Sequence, residues 1–331
     1  MIMGGSWAST GDLASRFARY AFRPHFHQHA GFRLASSEQR PVTSCTDAPP
    51  PYAAGWVPPR SGDAAPVASG EHNAALEDAI ARALLQSYAL PSEAVPYLDA
   101  SSTIAMMLRC SSRAVSWLSE SPCPCSCASG ALVIGCGVGD AVFELARYGF
   151  RGVLGLEHDP HLLAAAIKMR DFQQTVVNRT SATGISPTRV TTHVEPCTPM
   201  GLISFRHADP ANLPPDLGVY DTVMVHDIID RVPSPRTLLG RMGGARGLVS
   251  VGAYLLVTSA YLWDEARTPR EAWLGAEPGG ESCVSGILQA LGGASAFKLL
   301  RQKQMGSASR GPGGRQVAIK ILHLTLWLRL A

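Results

Sequence analysis

From Ala131 onward, short apolar runs alternate with helical stretches, and that alternation limits how the chain can fold more than any other feature. Strand-length runs separated by helix-length segments build parallel sheets, because each crossover returns the chain to the same edge. Ala131-Leu132-Val133-Ile134 is apolar at every position, as a strand buried on both faces requires. The pattern predicts a helix over 140–148, a strand over 152–156, and a helix capped by Asp159 with Pro160 in its first turn. Further strands are expected over 202–205, 220–225 and 253–259, with a polar insert or long hairpin over 178–199. Residues 297–302 and 316–328 read as a closing pair. The second of these alternates too long for a parallel strand and suits an antiparallel partner. The expected fold is α/β: a Rossmann-like seven-stranded sheet whose last strand is antiparallel.

Two segments precede it. Residues 1–72 are rich in Pro, Ser, Ala and Gly, with no sustained apolar period, and read as a disordered leader. Its Arg16, Arg19, Arg23, Arg33 and Arg40 fit an organellar transit peptide or an ordinary basic tail, and the tail is preferred. Residues 73–128 turn helical, with Leu76, Ile80, Leu84 and Leu85 on one stripe and Ile104, Met107 and Leu108 on another. They read as a small helical cap and linker ahead of a domain spanning 129–331. The run Cys123, Cys125, Cys127 closes the linker, and no second ligand cluster follows at zinc-like spacing, so no metal is expected. The same holds for His25, His27 and His29 in the leader.

Charge narrows the partners. With 29 basic and 26 acidic side chains, the chain carries no basic stripe and no aromatic residues interleaved with one, so nucleic acid is not expected. No apolar stretch runs long enough to span a bilayer. The 8 cysteines come without a secretory signal, which points to reduced thiols and a cytoplasmic setting. A small-molecule substrate fits best.

Gly135-Cys136-Gly137-Val138-Gly139 falls where the first strand turns into a helix. Glycines belong there because the backbone must bend tightly and approach a ligand closely. In the dinucleotide fingerprint the third glycine would fall at Asp140; here it comes one residue earlier. That spacing favours S-adenosylmethionine, which has no pyrophosphate to seat on the helix N-terminus. Glu157 ends the second strand, about 20 residues on, where an acid accepts from ribose hydroxyls. Asp209, ending the third, is placed to accept from an adenine amino group. With their neighbours His158 and Pro210, and with Cys136, these make the expected cofactor set. A solvated strand-end acid is the plainer reading of each carboxylate.

At this point three segments carry a family resemblance: ALVIGCGVGDAVFELAR over 131–147, YDTVMVHDIIDRV over 220–232, and YLWDEARTPREAWLG over 261–275. With weaker echoes at Tyr88, Pro96-Tyr97 and Arg109-Cys110, the chain from about Tyr88 onward resembles the 4-mercaptohistidine N1-methyltransferases. These are usually the C-terminal domain of ovothiol synthases. The resemblance implies a class I methyltransferase that moves a methyl from S-adenosylmethionine to the imidazole of 5-thiohistidine. The sulfoxide synthase domain that normally precedes such a module has no counterpart in this sequence, which leaves a stand-alone enzyme, a subunit working with a separate sulfoxide synthase, or a fragment as the alternatives. His226 and Asp227, past the fourth strand, would hold or deprotonate the ring. Trp263, Glu265 and Trp273 would wall the pocket and hold the amino-acid head group; core packing is the plainer reading of both tryptophans. Family members carry an acid where this chain has Val133. Other small-molecule methyl transfer, or silent cofactor binding, are the alternatives.

Overall fold

The computed structural model describes residues 73–95, 102–119, 130–179, 188–275, 281–311 and 316–331, besides two short strands, Ile2–Met3 and Arg19–Tyr20. Those two pair antiparallel within a compact unit of residues 1–48, and residues 49–331 form the other unit. The rest of the expected leader, the Cys123–Cys125–Cys127 run and Pro96-Tyr97 lie outside the described residues.

The larger unit opens on helices α1 (Asn73–Tyr88), α2 (Pro91–Ala94), α3 (Thr103–Met106) and α4 (Cys110–Ser119). The alternation then unfolds as read: β1 (Gly130–Ile134), α5 (Asp140–Arg147), β2 (Gly152–Glu157) and α6 (Pro160–Phe172). Asp159 caps α6 by accepting from the His161 and Leu162 amides. The insert is an antiparallel pair, β3 (Gln174–Arg179) with β4 (Thr188–His193). There follow β5 (Ile203–His207), β6 (Tyr220–His226), α7 (Pro235–Gly240), β7 (Val249–Ser259), α8 (Glu281–Ala290), β8 (Phe297–Arg310) and β9 (Val317–Arg329).

The main sheet has seven strands in the order β8-β9-β7-β6-β1-β2-β5. β1, β2, β5, β6 and β7 run parallel, and β9 runs antiparallel to both β7 and β8. This is the doubly wound sheet with an antiparallel last strand. Every residue of β1 is buried, which accounts for its unbroken apolar run. One core packs the helical cap, α5 and α6 on one face; the other packs α7 and α8 on the opposite face.

β8 and β9 are longer than expected, and the extra length positions the site. Leu328 to His323 pair with Tyr254 to Ser259 of β7. Leu322 to Val317 continue past the carboxyl end of β7, paired only with β8. The two strands thus make an arm that rises beyond the sheet edge. It rests on the cap: Ala308 N–H donates to the Met107 carbonyl at 3.1 Å and Arg113 to the Gly306 carbonyl at 3.0 Å. A Cβ at Gly306 would sit 2.8 Å from the Met107 sulfur, so glycine permits this approach.

Gly155, in β2, is required for a similar reason. A Cβ there would lie 2.7 Å from the Phe205 ring and 2.9 Å from the Cys136 sulfur. Phe205 is 1% exposed and has little freedom to retreat. Gly155→Ala is therefore expected to cost about 1–3 kcal/mol through overpacking, read as a lowered urea midpoint with unchanged slope. An unshifted midpoint would show that Phe205 gives way.

Candidate active site

The carboxyl ends of β1, β2, β6 and β7 meet at the middle of the sheet, where a doubly wound fold leaves room for ligands. The glycine turn begins there. Gly135, Gly137 and Gly139 have φ of +79°, +55° and +93°, the left-handed region where a side chain is strained. A Cβ at Gly135 would stand 2.8 Å from the His226 carbonyl, and one at Gly139 2.8 Å from the Phe205 ring. At Gly137 nothing lies within 4 Å, so this glycine faces open space.

Glu157 closes the turn. Its Oε2 accepts from the Gly137 amide at 2.7 Å, and Oε1 accepts from the amides of His158 and Asp159 at 2.9 and 3.0 Å. Oε1 is thereby filled, whereas Oε2 keeps a second lone pair for a ligand hydroxyl. Cys136 turns inward: it is 2% exposed, its amide donates to the Leu156 carbonyl, and burial raises its thiol well above the ordinary range. His158 is exposed, its ring stacked 5.9 Å from His207. Asp209 is exposed as well; Oδ1 takes the Ala211 amide at 2.8 Å, and Pro210 beside it is buried. Tyr88 donates to the Val138 carbonyl at 2.7 Å, so the end of α1 pins the glycine turn. Arg109 holds that end in turn, donating to the Tyr88 carbonyl at 3.0 Å and to Glu195 at 3.0 Å.

On the adjoining strand, His226 ends β6. Its Nδ1 lies 2.8 Å from Thr258 Oγ1, on the neighbouring strand in register, and its Nε2 lies 3.0 Å from Ser111 Oγ of α4. Burial pushes its titration below the ordinary histidine range, against the opposing pull of Asp227 and Asp140. The imidazole is therefore held neutral. Asp227 follows with φ of +49°, a conformation found where surrounding structure enforces it. Its Oδ2 takes Arg231 at 3.2 Å and also Lys320 from the arm, while its Oδ1 is buried with no hydrogen-bond partner. Cys110 stands nearby, and burial lifts its thiol to about 11, so it stays protonated near neutral pH.

The segment after β7 is stapled to the turn that follows Asp227. Asp230 accepts the Leu262 amide at 2.7 Å, and Thr268 donates to the Val232 carbonyl at 2.8 Å. Trp263 and Trp273 stack at 5.8 Å and 13°; Trp273 donates to the Thr268 carbonyl, whereas the Trp263 Nε1–H is buried without a partner. Glu265 is exposed and faces Arg270 at 3.9 Å, away from any contact with His226 or Asp227 among the described residues.

Sequence reasoning passed over Ser111, Thr258 and Lys320. Ser111 and Thr258 carry no local signal, since a helix-start serine and a strand threonine are commonplace. Lys320 carried one: it is a charge set between Ile319 and Ile321 in the apolar run from Val317 to Leu322. A cavity of about 160 Å³ lies elsewhere, beside α5, lined by Tyr88, Arg109, Asp140, Phe143, Arg147 and Glu195 among others. None of the sequence-predicted site residues lines it. Among the described residues no group of three or more His, Cys, Asp or Glu side chains is arranged to hold a metal, and no helix is long and apolar enough to cross a membrane.

No protein-family model matches the sequence, and no curated protein matches it. Solved structures with a similar chain path include the N-methyltransferase NodS from Bradyrhizobium japonicum WM9 in complex with S-adenosyl-L-homocysteine, at 14% identity and a TM-score of 0.41, covering 76% of this chain and 98% of that one. The glycopeptide N-methyltransferase MtfA complexed with sinefungin matches at 14% identity and a TM-score of 0.40, over 66% of this chain and 93% of that one. The [4+2]-cyclase SpnF matches at 14% identity and 0.44, over 71% and 86%. Likeness this distant carries no inference about activity, and the fold stands on the strand order itself.

Proposed function

We propose that the chain is an S-adenosylmethionine-dependent N-methyltransferase whose acceptor is the imidazole of a 5-thiohistidine. The observation that carries this reading is the meeting of two arrangements at one sheet edge. A glycine turn closed by Glu157 is open at Gly137, and a buried, unpaired Asp227 oxygen stands at the end of the next strand but one to β2. The first fits a cofactor bearing a ribose. The second fits an acceptor with an N–H to give.

Bound S-adenosylmethionine supplies a methyl group on a sulfonium, transferred by in-line displacement. The protein's part is positioning, because the acceptor needs only a free ring-nitrogen lone pair aimed along the axis of the breaking bond. Gly137 and Glu157 seat the cofactor side. Asp227 Oδ1 takes the N–H on the far side of the imidazole ring, which leaves the other nitrogen bare, and it then receives or holds the displaced proton. Arg231 and Lys320 both bond its Oδ2 and so fix the direction of the carboxylate. Trp263 and Trp273 offer a flat aromatic wall, and the unpaired Trp263 N–H offers a donor for the acceptor's head group. A separate sulfoxide synthase would supply the thiohistidine.

A second reading, silent cofactor binding, draws on Val133, which is wholly buried where the family pattern has an acid. Calorimetric titration with S-adenosylmethionine, followed by incubation with 5-thiohistidine and mass spectrometry, separates the two. Binding with one added ring methyl supports the enzyme; binding without product supports the silent module; no binding overturns both.

A further inference from the structure

The hydrogens around His226 can be counted. Thr258 is 0% exposed, and its Oγ1 lies 3.1 Å from the Asp227 amide and 2.8 Å from His226 Nδ1. The amide can only donate. The threonine's own hydrogen therefore has one partner with a lone pair among the described residues, His226 Nδ1. Were Nδ1 protonated instead, the buried hydroxyl would receive two hydrogens and have nowhere to place its own, an unsatisfied buried donor. The chain of bonds thus sets Nδ1 bare and Nε2–H donating.

The consequence passes to Ser111. Its Oγ accepts from Nε2–H at 3.0 Å, and no other partner for it is found among the described residues. Ser111 is 8% exposed, so its hydrogen has little access to bulk water. It is a donor without an acceptor among the described residues, free to meet a ligand. Asp227 Oδ1, buried and unpaired, is an acceptor on the adjoining residue. One donor and one acceptor, both unanswered by the protein, describe a ligand that offers a lone pair and an N–H.

Building on the proposed methyl transfer, we infer that Ser111 is a specificity-determining residue that hydrogen-bonds the acceptor's sulfur, and that Thr258 is the positioning residue that points its hydroxyl there through His226. The inference answers a chemical difficulty of this substrate class. The sulfur of a thiohistidine is a better nucleophile than the ring nitrogen, so an unrestrained substrate would be methylated on sulfur. A hydrogen bond from Ser111 occupies a sulfur lone pair, while Asp227 fixes the ring through its N–H and leaves the other nitrogen bare. The methyl then bonds to nitrogen, the carbon–sulfonium bond breaks toward the cofactor's sulfur, and the ring proton departs at Asp227. No further reactant is needed.

Two measurements test it. Nitrogen-15 spectra of the histidine rings in the free protein, with His226→Gln used only for assignment, should show His226 as the Nε2–H form; Thr258→Val should shift it toward the other form, and Thr258→Ser should restore it. An Nδ1–H form in the unaltered protein overturns the inference whatever the enzyme turns over. Product analysis with 5-thiohistidine should show that Ser111→Ala raises the ratio of S-methyl to N-methyl product by about tenfold or more, with S-adenosylmethionine affinity unchanged. Thr258→Val should move the ratio the same way, and Thr258→Ser should return it. An unchanged ratio in an active Ser111→Ala enzyme overturns the inference alone. Absence of any methylated product from the unaltered enzyme overturns the proposed function, and the sulfur role of Ser111 with it.

Discussion

Gly137→Val is expected to abolish measurable binding of the proposed cofactor, S-adenosylmethionine, in a protein that still folds. Two effects add. The valine Cβ and its methyls would project into the space that is empty within 4 Å of this position, which the cofactor is to occupy. The backbone there has φ of +55°, and a β-branched residue in that region costs on the order of 1–3 kcal/mol, so the turn would shift and draw its amide away from Glu157. Gly137→Ala separates the two effects, since it keeps much of the strain with a far smaller intrusion, and it should weaken binding without removing it. Calorimetry on both variants, beside circular dichroism to verify folding, is the measurement. Wild-type affinity in folded Gly137→Val would show that the cofactor does not approach this turn.

The second large effect concerns the acceptor. 5-Thiohistidine should be turned over about 10⁴-fold more efficiently than histidine, because a site that hydrogen-bonds a polar substituent leaves its own buried groups unanswered when the substituent is missing. Trp263→Ala should cut turnover of the thiol substrate while S-adenosylmethionine affinity is kept, since the stacked tryptophan pair belongs to the segment stapled beside Asp227. If Trp263 serves only packing, the same change lowers the melting temperature and leaves turnover per folded molecule intact. Glu265→Ala is a useful contrast: exposed and facing Arg270, that carboxylate has no contact in the structure that would transmit a comparable loss. Competition kinetics with both amino acids, with the product identified by mass, decides the matter. Comparable efficiency on histidine, or methyl on sulfur, would sink the thiohistidine assignment.

The sheet was legible because its information is local. An apolar run such as 131–134 states its own burial, and Asp159-Pro160 states where a helix begins. The glycine turn was legible for the same reason, since left-handed backbone at three alternate residues needs glycine wherever the chain later goes. The proposed acceptor side was legible only in part: His226 and Asp227 were named from the sequence, but their partners Ser111, Thr258 and Lys320 were not. Ser111, His226, Thr258 and Lys320 stand on four elements spread over most of the chain, and only the register between β6 and β7 and the length of β9 bring them together. The overhang of β9 was itself hidden: alternation marked a long strand, but nothing in the run from Val317 to Leu322 says that its neighbour β7 has already ended.

That overhang divides a single strand into two regimes of solvent exchange. From His323 to Leu328, β9 lies between β7 and β8 inside the seven-stranded sheet, and its amides open to deuterium only when the sheet itself comes apart. From Val317 to Leu322 it is paired on one side alone, with β8, and that ribbon is held by the cap through Ala308 and Gly306 and not by the sheet. Lys320 sits in the second regime and Asp227, its partner, at the edge of the first. The outward amides of the stretch that carries the lysine are therefore expected to exchange ahead of those in the sheet beside the aspartate, since β8 alone pairs with that stretch.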